Sequence, residues 1–332
     1  KYLIECKQRK VRTLDTISYH VTVLLPYIGH LPLQDICNES LETFKAERLA
    51  GGDGEGSSPA TVNRSLEVVR TVLNRAARVW RQNGRPWLAS SPLIEMLDEE
   101  ARKRKPYPIT WVEQGELLTQ LPGHLQRMVL FALNTGARDD NICRLQWAWE
   151  RQLPELNRSV FVIPAEEFKG QRAHVLILND VAWSIVEECR GIHKEFVFVY
   201  RRERVKNFDD EPVMPYRPVN TMNNAAFQTA RRKAKLERVR VHDLRHTFGQ
   251  RLRDAGVSRE DRALLLGHAI EGMPERYATA TIARLVEMAN RVSDTRDRTT
   301  VLRWSTAERD RKVPQKVPQQ KKTPQRLQPL RR

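Results

Sequence analysis

The chain has 332 residues, with 57 Lys and Arg against 41 Asp and Glu and a formal net charge of +16. That length suits two ordinary domains, and the positive excess favours a polyanionic partner without separating DNA from RNA or an acidic membrane surface. No apolar run reaches the roughly eighteen residues of a membrane helix, the start KYLIECKQRK lacks the apolar core of a signal peptide, and Cys6, Cys37, Cys143 and Cys189 are too far apart for CxxC chemistry, which argues against membrane-spanning, secreted and disulfide-built classes.

Residues 13 to 98 read as wholly helical. Leu14, Ile17, Val21, Leu24 and Ile28 form one apolar stripe, and a second helix from about Leu41 to Ala50 is stopped by Gly51 and Gly52. In the third, Ser58 and Pro59 suit the N-cap and first turn, and Val62, Leu66, Val69, Leu73, Ala76 and Trp80 repeat at steps of four and three. Its other face carries Arg64, Arg70, Arg75 and Arg78; taken alone, such a face is ordinarily solvated. From Glu99 to Thr110 a charge run meets Pro106 and Pro108, which fits a linker whose Arg102, Lys103, Arg104 and Lys105 are suited to touch backbone phosphates.

Thr110 with Glu113 makes a capping-box start to a second domain. A buried helix from His124 to about Asn134 then ends near Gly136 and presents Arg138, which out of context is an ordinary surface arginine. Ser159–Ile163 and Ala173–Leu178 are β-branched-rich runs flanking Lys169, Gly170 and Gln171, a hairpin with the lysine at or near its tip. Phe196 to Tyr200 is a further apolar, strand-like segment. Asn223 to Lys235 reads as a helix carrying Arg231, Arg232 and Lys233, equally compatible with a DNA major groove and with a plain surface helix.

Asp243 to Ala255 has helical apolar spacing at Leu244, Phe248 and Leu252 and stops at Gly256. His242 and Arg245, three apart at the start of that helix, point into one space where free N–H groups and a guanidinium favour a phosphate. Ser258 and Asp261 begin another helix that ends at Gly267 beside His268. The step from His268 to Tyr277 contains Gly272 and Pro274 and reads as a loop or very short helix. Ile282, Leu285, Val286, Ala289 and Val292 then make an apolar helix face, and residues 297–332, rich in Lys, Arg, Gln and Pro, read as a disordered basic tail. His246 reads as structural, and His20, His30, His124, His174 and His193 form no metal-ligand spacing.

The motifs TGAR at Thr135–Arg138, HDLRH at His242–His246, LGH at Leu266–His268 and ERY at Glu275–Tyr277, in this order and spacing, resemble the tyrosine recombinase, or phage integrase, family. The resemblance implies a mainly α fold with a small β-sheet (α+β): a helical core-binding domain over residues 1–98, a linker over 99–110, a catalytic domain over 111–296 and the tail. It makes Arg138 and Arg245 a clamp on the scissile phosphate and Tyr277 the nucleophile. His242 and His268 handle hydrogen bonds and protons, and a hairpin lysine is expected, for which Lys169 is the candidate. A free tyrosine has a pKa of about 10, so two nearby guanidiniums would favour the phenolate and the charge that builds on phosphorus. No cofactor or metal is required. Asn141 departs from the pattern, since many members have an acidic residue there, but it can still hydrogen-bond a site histidine or arginine.

The function implied is site-specific recombination of double-stranded DNA at attachment or core sites through a 3′-phosphotyrosyl link, for integration or excision of a prophage or mobile element. The acting species would be a homotetramer on synapsed DNA in a bacterial cytoplasm, with accessory DNA-bending and directionality proteins and with the terminal helix docked on a neighbouring protomer. Within the family Arg64, Arg70, Arg75 and Arg78 would turn toward DNA, as would Lys103, Arg104, Arg231 and Arg232. The absent initiator Met hints at a missing N-terminal arm-binding segment. The alternatives are a DNA-binding regulator without the chemistry, a type IB topoisomerase and a hairpin telomere resolvase.

Overall fold

The computed structural model describes residues 1–51, 56–100, 104–201, 215–268 and 279–293. They belong to two units divided between Lys105 and Pro106.

The first unit is built on α1 (Tyr2–Gln8), α2 (Leu14–Ile28), α3 (Glu42–Ala50) and α4 (Pro59–Arg78). The Ser58 hydroxyl accepts the Thr61 N–H at 3.2 Å, and Pro59 has no donor to leave unpaired, so α4 starts where the sequence predicts. Its buried stripe of Val62, Leu66, Val69 and Leu73 packs with Leu24 and Ile28 of α2 and Phe44 of α3.

The expectation of continuous helix to residue 98 fails beyond α4. Asn83 (φ 53°) and Gly84 (φ 78°) turn the chain between β1 (Arg81–Gln82) and β2 (Arg85–Pro86), and residues 87–99 are irregular. The cause is local turn chemistry, because an Asn-Gly pair adopts left-handed backbone at low cost and Pro86 and Pro92 cannot continue a helix. Leu88 and Ile94 still join the core of this unit. The buried Asn63 side chain accepts the Leu97 N–H at 2.8 Å and donates to the Leu97 carbonyl at 2.9 Å, which holds the irregular stretch against α4.

The second unit begins earlier than the linker reading allows. Ile109 is buried, and the N–H groups of Tyr107 and Ile109 donate to Asp243 at 3.1 Å and Thr247 at 3.0 Å, so the chain is anchored from Pro106 onward. Its elements are α5 (Trp111–Gln120), with the full Thr110–Glu113 capping box, α6 (Gly123–Thr135), α7 (Asp139–Cys143), α8 (Asp180–Cys189), α9 (Ala225–Lys233), α10 (Val241–Asp254), α11 (Arg259–Leu265) and α12 (Thr279–Asn290). An antiparallel sheet runs in the order β3 (Glu150–Leu153), β4 (Arg158–Ile163), β5 (His174–Leu176), with Phe161 opposite Leu176 and Ile163 opposite His174. The strand-like segment finds its place as β6 (Val199–Arg201), paired with β7 (Tyr216–Pro218), while Val197 and Phe198 enter the main core. The architecture is α+β, mainly helical, as expected. Among the described residues no helix is long and apolar enough to cross a membrane.

Leu125, Met128, Val129 and Ala132 of α6 centre the larger core, which takes in Leu244 of α10 and Phe161 of β4. A second core joins Phe248 and Leu252 of α10 and Leu264 and Leu265 of α11 to Ile282, Leu285, Val286 and Ala289 of α12. The apolar face of α12 is therefore packed against its own chain. Asn179 fixes it there: its Nδ2 donates to Asn134 Oδ1 at 2.9 Å and to the Ala289 carbonyl at 3.3 Å, while its Oδ1 caps α8 by accepting the Ala182 N–H.

Candidate active site

Gly136 closes α6 in left-handed backbone (φ 63°), and a Cβ there would lie 2.5 Å from Phe248 and 2.8 Å from Leu266. Both facts demand glycine, and the turn delivers Arg138 at the N-cap position of α7. Asp139 holds that turn by accepting the Thr221 hydroxyl at 2.6 Å and the Met222 N–H at 2.9 Å. The Arg138 guanidinium lies 4.9 Å from the Phe168 ring centroid, and its Nη1 is buried with no hydrogen-bond partner among the described residues. Such an atom is costly unless an anion meets it.

Arg245 is 8% exposed on the first turns of α10. Its Nη1 donates to the Gly136 carbonyl and its Nη2 to the Leu266 carbonyl, each at 2.6 Å, and Nη2 also donates to His268 Nε2 at 3.1 Å. Two of its five N–H groups are left over. Burial, then the nearby Arg138, brings its pKa down to about 10, so it stays cationic at neutral pH. The donated bond to His268 Nε2 puts the proton of a neutral imidazole on Nδ1. His242 lies one turn before Arg245, its ring edge-on to His246 at 4.8 Å. Desolvation first, and then neighbouring positive charge, lowers the pKa of both His242 and His268.

Lys169 is exposed in the connection between β4 and β5, beside the buried Phe168. Asn141 is buried and donates to the Glu167 carbonyl at 3.4 Å, pinning this connection instead of binding a histidine or arginine. Gly267 (φ 62°) passes so close that a Cβ there would lie 2.8 Å from both Phe168 and His174, which ties the LGH turn to the same connection. Two residues passed over in the sequence belong to this neighbourhood. His174 stacks on Phe168 at 4.6 Å, and burial, then Arg245, Arg138 and Arg172, hold its pKa down to about 3. Arg172 adds a third positive charge felt by Arg138 and His268. The signal for His174 was available, since strand alternation puts it on the inward face with Leu176.

The structure thus brings Arg138, Arg245, His242 and His268 together from separate segments; Tyr277 lies outside the described residues. The DNA-contact candidates divide differently. Arg64, Arg70 and Arg78 are exposed on α4, Arg104 is exposed at the end of the first unit and Arg232 in the second; Lys103 lies outside the described residues. Arg75 is claimed by Glu5, to which its Nε donates at 2.8 Å, and braces α1 against α4. Arg231 donates to the Val239 carbonyl at 2.8 Å and secures the end of α9. Neither keeps the free guanidinium expected of it. Asn224 likewise caps α9 by accepting the Phe227 N–H at 3.1 Å.

Two converging guanidiniums with N–H groups to spare, flanked by neutral imidazoles, suit a tetrahedral oxyanion and the extra charge of a five-coordinate phosphorus. Among known proteins, the model of the phage integrase family matches residues 115–284. The integrase of Salmonella phage P22 is 30% identical over 237 residues, which are 70% of this chain and 57% of that protein. The chain spans less than two thirds of the length of the curated relatives it matches. A lambda integrase dimer bound to a COC′ core site has a similar fold, with TM-score 0.56 and 15% identity over 86% of this chain and 75% of that one. So has a lambda integrase tetramer bound to a Holliday junction, with TM-score 0.54 and 14% identity over 83% and 78%.

Proposed function

Because the chain belongs to the phage integrase family, we propose that it is a site-specific DNA recombinase that cuts and rejoins strands through a phosphotyrosine. The observation that carries this reading is the meeting of Arg138, with its buried and unpartnered Nη1, and Arg245 beside two histidines of lowered pKa. A DNA-binding regulator has no need of such a cluster.

In the proposed reaction the two arginines hold the non-bridging oxygens. The Tyr277 phenol oxygen bonds to phosphorus, the bond from phosphorus to the 5′ oxygen breaks, and the product is a 3′-phosphotyrosyl link and a free 5′ hydroxyl. The phenol proton passes to a neutral imidazole, for which His242 is the candidate, and Lys169 supplies the proton that the 5′ oxygen takes. Attack by a 5′ hydroxyl from the partner duplex reverses these steps and restores the tyrosine, so no external energy source enters. By likeness to the lambda integrase tetramer on a Holliday junction, the acting species is a tetramer on two DNA duplexes. Integration or excision of a mobile element in a bacterial cytoplasm, assisted by DNA-bending and directionality proteins, is the corresponding biological role.

The test uses nicked suicide duplexes tiled across the genomic junctions of the element that encodes the chain. Wild type should give a covalent adduct and joined strands; Tyr277→Phe should give none while binding the same DNA. Arg138→Ala should slow cleavage roughly 10²–10³-fold with little loss of binding. A wild-type protein that binds and never forms an adduct is a regulator, and an adduct that only ever reseals its own duplex points to a topoisomerase.

A further inference from the structure

The helix α10 has two unlike faces. Leu244, Phe248 and Leu252 are buried in the cores. The opposite stripe of His246, Gly249, Gln250 and Arg253 lines a cavity of about 850 Å³, and Arg259 and Arg262 of α11 line it from the other side. His242, Arg245 and His268 stand at one end of the same cavity.

We infer that the part of this cavity beyond the catalytic cluster is a second phosphate site, which takes the phosphates flanking the cleaved one along the same DNA strand. The inference rests on the recombinase reading for the identity of that strand, and on the cavity itself for the chemistry.

Three arginines from two helices converge there, with Glu260 the one carboxylate among its lining residues. Exposed arginines ordinarily do no more than meet solvent. Here, among the described residues, no ion pair or side-chain hydrogen bond engages Arg253, Arg259 or Arg262, and the Arg262 Nε is buried with no partner. The convergence would be unfavourable without an anion between the helices.

Distance along the helix agrees with a nucleic-acid strand. Arg245 and Arg253 are eight residues apart, about 12 Å at ~1.5 Å per residue. One strand advances roughly 3.4 Å along the duplex axis per nucleotide, so the cavity covers about three. Gly249 sits midway. It presents no side chain to the cavity, and a Cβ there would meet only Leu266, at 3.4 Å, so a sugar-phosphate chain can come down close to the helix backbone.

The test measures phosphate contacts directly, with the full chain and a fluorescent duplex of about 30 base pairs and arbitrary sequence. Affinity is read between about 50 and 200 mM salt. Replacing Arg253, Arg259 and Arg262 together with Ala should lower the slope of log affinity on log salt by about 2 to 3, at ~0.9 per phosphate lost, and replacing all three with Lys should restore most of it. The single variant Arg253→Gln, at an exposed position, should lower the slope by about 1 and covers the case in which the triple variant fails to fold. An unchanged slope in Arg253→Gln and in a folded triple variant overturns the inference. Adduct formation on the suicide duplexes separates this from the recombinase reading: adduct with an unchanged slope defeats the phosphate site alone, whereas no wild-type adduct with a lowered slope leaves a phosphate-binding groove on a protein that does not cleave.

Discussion

Acid should destabilise the second unit through His174 more than through any surface group. The ring is 8% exposed, stacked on Phe168, and surrounded by Arg138, Arg172 and Arg245, so burial and like charge hold its folded pKa down to about 3 against 6.5 for an ordinary histidine. Between those values the unfolded chain carries a proton that the folded chain refuses. Stability is therefore complete above about pH 6.5 and falls by about 1.4 kcal/mol for each unit of acidification below it, which comes to about 2.6 kcal/mol between about pH 7.5 and pH 4.5. The comparison is with His174→Phe, which keeps a flat ring and has nothing to titrate. Urea unfolding followed by tryptophan fluorescence at several pH values gives both curves. Carboxylates of lowered pKa such as Glu150 also lose stability in acid, as do His242 and His268, but they are common to both proteins and drop out of the difference. The absolute stability of the variant is immaterial, because Phe fits the site differently at every pH. If the two curves stay parallel to within about 0.5 kcal/mol, His174 takes a proton in the folded protein and the reasoning about its surroundings is wrong.

Two substitutions probe what holds the site. Gly136→Ala puts a Cβ into left-handed backbone and against Phe248 and Leu266, for about 1 kcal/mol of backbone strain and about 1–3 kcal/mol of overpacking; a urea midpoint equal to wild type would contradict this. Asn179→Ala removes the cap of α8 and leaves Asn134 Oδ1 without its donor, a loss of about 2–4 kcal/mol. It also releases the Ala289 carbonyl, so limited proteolysis should cut near α12 sooner, and an unchanged cleavage pattern would show that Asn179 does not hold that helix.

Helix ends were legible because single residues mark them. Ser58, Thr110 and Gly136 each act through one local bond or one backbone angle, and all three lie where the sequence puts a terminus. The non-helical course of residues 79–98 is not legible because two-residue strands are too short for alternation to register, and Leu88 and Ile94 are buried by distant packing that no local period records. The arginines show the same limit. A helical wheel gives Arg75 and Arg78 nearly the same standing, yet Glu5, seventy positions away from Arg75, claims one and leaves the other exposed. Motif spacing placed Arg138, His242, Arg245 and His268 in one neighbourhood, but the carbonyl oxygens that orient Arg245 belong to backbone, which no side-chain pattern reveals.

Those carbonyls explain how so much positive charge can be packed together and still be available. A carboxylate on Arg245 would hold it firmly but cancel its charge and compete with phosphate for the same N–H groups. The Gly136 and Leu266 carbonyls orient the guanidinium as dipoles and leave its charge intact. Asn141 acts in the same sense, for it anchors the β4–β5 connection through a neutral amide where the family resemblance expects an acidic residue. The cost of this arrangement is desolvation first and mutual repulsion second, which together lower the pKa of Arg138, Arg245, His242 and His268 alike. An anion bound between the arginines relieves that repulsion for all four at once, and most for the state of phosphorus that carries the most negative charge. On the proposed recombinase reading, affinity for the transition state over the resting phosphodiester would follow from Arg245 having no carboxylate partner among the described residues as much as from the presence of the arginines themselves.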